Sequence, residues 1–387
     1  MKSAILGAVL LVAGAVLVAT GVLPLADAAA VGQRVWPILL FVVAITVVTE
    51  LAAEAELFRV VAERAAGWGR GRTWLLWLFV VLFAVLATVF LSLDTTAVLL
   101  TPVVILLARH VGLPPLPFAL TTVWLANTAS LLLPVSNLTN LLAQHALGNI
   151  SPFAFVALMW APALVAIVVP VVVLFLAHRR ELTTRYVAEP GEPVADRVLL
   201  WASAAVVVLL LPSLVSGIPV WIPACAGALL LLLGFFAVRR RSALRFGLLP
   251  WQLVLLASGL FLVVEACHAI GATAVLGAIA GTGHGFVELL RMAGVGALAA
   301  NLVDNLPAYL ALEPSAGRDP VRLAALLIGV NAGPLITPWA SLATLLWHQR
   351  LVAMNVSLSW WRYIALGAVV VPLTVTAAVA ALWLAAR

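Results

Sequence analysis

Residues 126–142 read ANTASLLLPVSNLTNLL, a segment apolar enough to cross a membrane but carrying Pro134 in its middle. Proline lacks a backbone N–H and clashes with the preceding helical turn, so it interrupts a helix at this point. At membrane depth an interrupted backbone is tolerated only where it is buried in protein or lines a cavity. The segment therefore predicts a broken transmembrane helix with a polar elbow.

A related segment occurs in the second half of the chain, where residues 330–346 read VNAGPLITPWASLATLL. Aligned without gaps, the two copies share Asn127 with Asn331 and Pro134 with Pro338, together with several leucines. Two interrupted apolar segments at matching places of two halves indicate the binding site of a secondary transporter.

The composition places the chain among helical membrane proteins. Of its 387 residues, 65% are hydrophobic and 9% charged, whereas soluble domains average about 25% charged residues. The excess of basic residues is scattered between apolar segments, which is typical of cytoplasmic loops and does not indicate a nucleic acid partner. Cys225 and Cys267 have no CxxC partner, and no HExxH, GxSxG or P-loop motif is present. The sequence therefore predicts no metal site, no cofactor and no enzymatic activity.

Apolar runs and positive charges together predict an all-α polytopic membrane protein with about 9–10 full crossings and a cytoplasmic N-terminus. Two halves, each with a re-entrant hairpin and a broken helix, are predicted to be inverted repeats. The predicted division is a first repeat over 1–177 with hairpin 73–110 and broken helix 117–143, a cytoplasmic loop and linker helix over 178–218, and a second repeat over 219–387 with hairpin 286–314 and broken helix 323–350.

Two further expectations concern the first half. The second span is predicted over 36–58, and residues 59–72, which carry four arginines, are predicted to form a cytoplasmic loop. Trp36, Trp74 and Trp77 lie near predicted span ends, which is typical of an interfacial aromatic belt.

The predicted hairpin tips each carry an aspartate. Asp94 is followed by Thr95 and Thr96, and Asp304 is followed by Asn305. An intramembrane carboxylate is costly and is a functional hypothesis by default. A helix N-cap is the alternative interpretation, because aspartate favours that position. We expect these residues to take part in proton or ion coupling.

The two elbows supply the candidate substrate contacts. Asn127 and Asn331 precede the prolines by two helical turns and so share a face with the elbow. Asn305 completes this set from the second tip. The candidate substrate-binding residues are Asn127, Thr128, Ser136, Asn137, Asn140, Asn305, Asn331, Gly333, Ser341 and Thr344.

A third group of ionisable residues lies in the second span of each half. Glu50 and Glu265 occupy corresponding positions, and His268 follows Glu265 by about one turn. These side chains are either solvated helix ends or members of a proton relay, since carboxylates and imidazoles can load and release protons.

Four stretches carry a family resemblance: SLDTTAVLLTP (92–102), ANTASLLLPVSNLTN (126–140), VDNLPAYL (303–310) and GVNAGPLITPWASLATLLW (329–347). They resemble the ArsB-type arsenite/antimonite permeases of the ion transporter superfamily, which also includes sodium/proton antiporters and citrate and dicarboxylate carriers. The resemblance implies two inverted repeats, an elevator-like movement and a place in the cell inner membrane. The sequence departs from the family pattern at Leu93, where asparagine is usual, and at both elbows.

The expected function is proton-coupled efflux of arsenite or antimonite. The alternative is a cation-coupled carrier of another substrate, by sodium/proton antiport or carboxylate transport. An intramembrane protease built on Asp94 and Asp304 would leave the paired broken helices unexplained. The partners implied are arsenite or antimonite, protons and the lipid bilayer. A homodimer is compatible with the resemblance, and no motif addresses an ATPase subunit.

Overall fold

The protein is all-helical in a computed structural model that describes residues 2–187, 193–271 and 274–387. No β-strand forms in these ranges, where a single isolated bridge joins Arg72 to Arg185. Residues 188–192, part of the predicted cytoplasmic loop, lie outside the described residues.

The helices are numbered in chain order. They are α1 (Lys2–Ala19), α2 (Leu25–Glu54), α3 (Leu57–Trp68), α4 (Thr73–Leu91), α5 (Leu93–Thr95), α6 (Thr101–His110), α7 (Leu116–Thr128), α8 (Leu138–Ala146), α9 (Pro152–Ala177), α10 (Arg179–Leu182), α11 (Arg197–Leu214), α12 (Trp221–Ala237), α13 (Trp251–Ala269), α14 (Ala274–Ala280), α15 (Phe286–Leu302), α16 (Asn305–Ala316), α17 (Pro320–Ala332), α18 (Leu342–Ala353) and α19 (Trp360–Ala385). A π-helical segment, Thr96–Leu100, joins α5 to α6.

Helix length and composition identify a multi-pass membrane protein. Seven of the described helical segments are long and apolar enough to span a bilayer. Large apolar side chains face outward along them, such as Leu209 on α11 and Leu164 on α9, each more than half exposed. Such exposure is typical of contact with lipid. The prediction of an all-α polytopic membrane protein is confirmed.

Helices from the two halves of the chain pack in pairs around the centre. Helix α1 packs on α13, α2 on α12, and α9 on α19. The α1–α13 contact is close because glycines lie in it: a Cβ at Gly7 or Gly259 would meet backbone atoms of the facing helix. Small residues allow membrane helices to approach in this way. The orientation of the two halves in the membrane stays a prediction.

The structure differs from the sequence-based expectation at three places. The second span begins at Leu25, not near residue 36, because Pro24 starts a helix that continues through Pro37 to Glu54. The predicted loop over 59–72 contains helix α3, whose apolar face is buried. Trp77 is also buried and donates to Thr121 Oγ1 at 2.8 Å, so it does not belong to an interfacial belt.

Candidate substrate site

Each hairpin turns at a residue whose backbone conformation is almost restricted to glycine. Ser92, between α4 and α5, has φ 99° and ψ 159°, and Asp304, between α15 and α16, has φ 154° and ψ 159°. Such conformations cost about 1–3 kcal/mol and are concentrated at functional sites. The two strained residues mark the two tips.

Both tip residues are also helix N-caps. The Ser92 hydroxyl accepts from the Thr95 N–H at 3.4 Å, and the Asp304 carboxylate accepts from the Leu306 N–H at 3.0 Å. Ser92 is therefore the structural counterpart of Asp304, whereas Asp94 lies inside the first turn beyond its tip. The alternative interpretation as a helix N-cap is therefore correct for Asp304 and wrong for Asp94.

The first broken helix is interrupted between α7 and α8. Helix α7 ends at Thr128, two short 3-10 turns follow, and α8 begins at Leu138 with Asn137 as its N-cap. The Ser136 hydroxyl donates to the Val89 carbonyl at 3.2 Å, which ties this elbow to the first hairpin.

The second broken helix is interrupted between α17 and α18, and Asn301 of α15 holds the interruption in place. Its amide donates to the Gly333 carbonyl at 2.8 Å, and its side-chain oxygen accepts from the Thr337 N–H at 2.9 Å. The Trp339 indole donates to the Asn301 carbonyl at 2.9 Å. Asn301 was not among the predicted site residues. The sequence feature that could have identified it is an amide side chain in an apolar helix, about one turn before the tip.

The two elbows are joined at Asn331. Its side-chain oxygen accepts from Asn137 Nδ2 at 3.0 Å and from Thr139 Oγ1 at 2.9 Å. Its own amide donates to Asn140 Oδ1 at 2.8 Å. All of these side chains are buried, so one residue of the second half satisfies three polar groups of the first.

The matching position in the first half is less satisfied. Asn127 donates to the Val123 carbonyl of its own helix, and its side-chain oxygen has no partner among the described residues. The Thr128 and Ser341 hydroxyls are likewise buried without a partner in the described part of the chain. These unpaired groups can accept or donate hydrogen bonds to a ligand or to water.

The tips and elbows meet at a small cavity of about 60 Å³, which residues of α2 and α13 also line. That volume has room for a few water molecules or one small solute. None of the described residues lining it is basic. The polar residues lining it are Ser92, Asp94, Asn137, Asp304, Asn305, Ser341 and Thr46.

Two larger cavities hold the remaining predicted ionisable residues. A cavity of about 420 Å³ contains Asp94 and Thr95 together with Glu50 and Arg350. Glu265 and His268 line a separate cavity of about 600 Å³. The structure therefore brings Glu50 to the same cavity as Asp94 but keeps the α13 pair apart from both tips.

Two of the predicted threonines, Thr95 and Thr96, have internal partners. The Thr95 hydroxyl donates to the Leu91 carbonyl at 2.8 Å, and Thr96 Oγ1 accepts from Thr88 at 2.8 Å. The Thr344 hydroxyl is buried without a partner among the described residues, like those of Thr128 and Ser341.

Comparison with known proteins places the whole chain among transporters. Residues 2–328 match the family described as CitMHS, Citrate transporter. The chain is 31% identical to the arsenical pump membrane protein of Escherichia coli (strain K12), covering 94% of this chain and 89% of that protein. It is 29% identical to the arsenical pump membrane protein of Yersinia enterocolitica, covering 92% and 88% respectively.

One solved structure has a similar fold. The crystal structure of the Alcanivorax borkumensis YdaH transporter, described as having an unusual topology, superposes with a TM-score of 0.57. The match covers 91% of this chain and 85% of that one at 15% sequence identity. At that identity the likeness is one of fold.

Proposed function

Because the chain belongs to the citrate transporter family (CitMHS) and is 31% identical to an arsenical pump membrane protein, we propose that it exports arsenite or antimonite in exchange for protons. The family consists of membrane transporters, so the chain is a transporter and not an enzyme.

The observation that carries the proposal is the meeting of Asp94 and Asp304 with amides and hydroxyls at one small cavity. Arsenous acid is small and neutral, and its hydroxyl groups both donate and accept hydrogen bonds. The unpaired hydroxyl of Ser341, which lines this cavity, suits such a ligand. Asp94 and Asp304 take up protons when the substrate leaves and release them when it binds.

Transport is proposed to proceed by an elevator-like movement of hairpins and broken helices. Hydrogen bonds tie each hairpin to its elbow, through Ser136 in the first half and Asn301 in the second. Asn331 ties the two elbows together. These contacts support movement as one unit against a frame of α1, α2, α12 and α13, which pack on one another.

A carboxylate or sodium carrier is the second candidate, favoured by the description of the matched family as citrate transporters. Helices α8, α16 and α18 begin at the cavity, and helix N-termini attract anions. However, the Asp304 carboxylate already occupies the N-terminus of α16, and Asp94 lies beside it. An anion with several carboxylates would meet two acidic side chains in this cavity, and none of the described lining residues is basic. This candidate therefore ranks second.

The test is arsenite accumulation in everted membrane vesicles under an imposed proton gradient, without ATP. Wild type should accumulate arsenite, and the Asp94→Asn/Asp304→Asn double variant should lose at least about 90% of the rate, as expected when a proton-transferring group is removed. Asp27→Asn, which changes an exposed carboxylate in the first turn of α2, is the matched control. Citrate or sodium movement without arsenite movement would favour the second candidate.

A further inference from the structure

The cavity of about 600 Å³ holds a charged cluster that the proposed substrate site does not use. It lies between α2, α8, α13 and α16 and shares no lining residue with the 60 Å³ cavity. Its ionisable and charged residues are Arg34, His145, Glu265, His268, Glu313 and Arg318.

Within this cluster, one ion pair joins α2 to the second hairpin. Arg34 Nη2 lies 2.5 Å from Glu313 Oε1, and the Glu313 side chain is 12% exposed. The contact uses one guanidinium nitrogen, and Arg34 Nε has no partner among the described residues. Protonation of the carboxylate removes the Coulombic attraction and leaves the Arg34 charge uncompensated. Because the Arg34 side chain is 27% exposed, its guanidinium can then turn from Glu313 towards water in the cavity.

We propose that Glu313 is a coupling residue of the transport cycle: a proton entering through this cavity neutralises its carboxylate, breaks the bond to Arg34 and releases the second hairpin from α2. The inference rests on the proposed function, because it takes α2 as part of the static frame and α16 as part of the moving unit.

The position of Glu313 connects this contact to the substrate site. Glu313 and Asp304 lie nine residues apart at the two ends of α16, which corresponds to about 14 Å along the helix. Because α16 is a single helix, its release at Glu313 is transmitted as a rigid movement to the tip at Asp304. A proton bound at Glu313 in the larger cavity can thereby move Asp304, which lines the small cavity.

Other groups facing the pair set its response to pH. From α13, Glu265 lies 3.8 Å from His268 and adds negative charge near Glu313, which favours protonation. From α8, His145 gains positive charge in acid, and this charge opposes protonation of Glu313. Arg318, which follows the end of α16, carries a permanent positive charge with the same effect. The buried Tyr309 hydroxyl on α16 completes the set of groups near the pair.

The experiment is a distance measurement that needs no substrate. Spin labels replace Leu25 at the start of α2 and Val287 on α15, both exposed, after Cys225 and Cys267 are changed to serine. In lipid nanodiscs the distance distribution should shift between about pH 8 and about pH 3.5, a range that spans the ordinary glutamate pKa of about 4.3.

Two variants remove the pair and one control does not. Glu313→Gln and, independently, Arg34→Gln should show the low-pH distribution at both pH values. Glu288→Gln, which changes an exposed carboxylate of α15, should behave like the parent. An unchanged distance in the parent on acidification, or a pH response in Glu313→Gln equal to that of the parent, would overturn the inference.

Transport separates this inference from the proposed substrate. In vesicles, arsenite flux through wild type should depend on the pH on the side of the membrane that this cavity faces. Arsenite flux through Glu313→Gln should not depend on that pH. If wild type moves no arsenite while the label distances still respond through Glu313, the substrate assignment fails and the coupling residue stands.

Discussion

The side chains of Asn137 and Asn331, which lie 194 residues apart, are joined by a hydrogen bond of 3.0 Å between two interrupted helices. Thr139 and Asn140 bond to the same asparagine, so the two elbows share one buried polar contact. Since every group in it is satisfied, this contact rigidifies the centre of the molecule.

Replacing Asn331 should therefore both destabilise the fold and stop transport. In Asn331→Leu, three buried polar groups lose their bond to Asn331, and a buried polar group left unsatisfied costs about 1–3 kcal/mol. The apparent melting temperature in detergent should fall clearly. Asn127→Leu is the comparison. The Asn127 side chain makes a single hydrogen bond, within its own helix, so its replacement should lower the melting temperature less. Equal losses for the two variants would argue against Asn331 as the link between the halves.

Relief of strain at the first tip should stabilise the protein. Ser92 has φ 99° and ψ 159°, a conformation that glycine adopts without penalty. We expect Ser92→Gly to raise stability by about 1 kcal/mol, even after loss of the weak 3.4 Å cap, as measured by thermal unfolding. Ser130→Gly, at a buried helical position, should lower stability. A destabilised Ser92→Gly would show that the cap outweighs the strain.

The close approach of α1 and α13 should depend on glycine. A Cβ at position 259 would lie 2.5 Å from the Leu11 backbone nitrogen, so Gly259→Ala must separate the two helices. We expect a loss of about 1–3 kcal/mol, the usual cost of overpacking. Gly234→Ala on α12 is the matched control, because nothing lies within 4 Å of its added Cβ. Thermal unfolding of the two variants side by side distinguishes packing from helix propensity.

Acid should weaken the cap of the second broken helix. Burial would raise the pKa of the Asp319 carboxyl, but the Arg322 N–H at 2.8 Å and His284 at 2.7 Å stabilise its charge and bring its pKa below the ordinary value. A lowered carboxyl pKa contributes stability that is present above the unfolded-state pKa of about 3.9 and is lost as the pH falls through the folded-state value.

Asp319→Asn keeps a capping oxygen and removes the charge. The difference in melting temperature between wild type and this variant should shrink as the pH falls from about 5 towards about 3. A difference that stayed constant down to pH 3 would show that the charge of Asp319 contributes nothing to stability.

The amino-acid sequence by itself determined the class of protein and where its helices are interrupted. Long apolar runs, two prolines in matching segments and two aspartates in apolar surroundings are local features, and their cost in a membrane is the same whatever packs around them. For this reason the helix breaks near Pro134 and Pro338 could be located without coordinates.

Only the tertiary structure decided which residues are equivalent and which meet. Asp94 and Asp304 look like counterparts in sequence, yet Ser92 is the residue that occupies the first tip, because the backbone reverses there. The bonds of Asn331 to the first elbow and of Arg34 to Glu313 join residues more than 190 positions apart. Such contacts depend on how distant helices pack, and no local pattern in the chain specifies that packing.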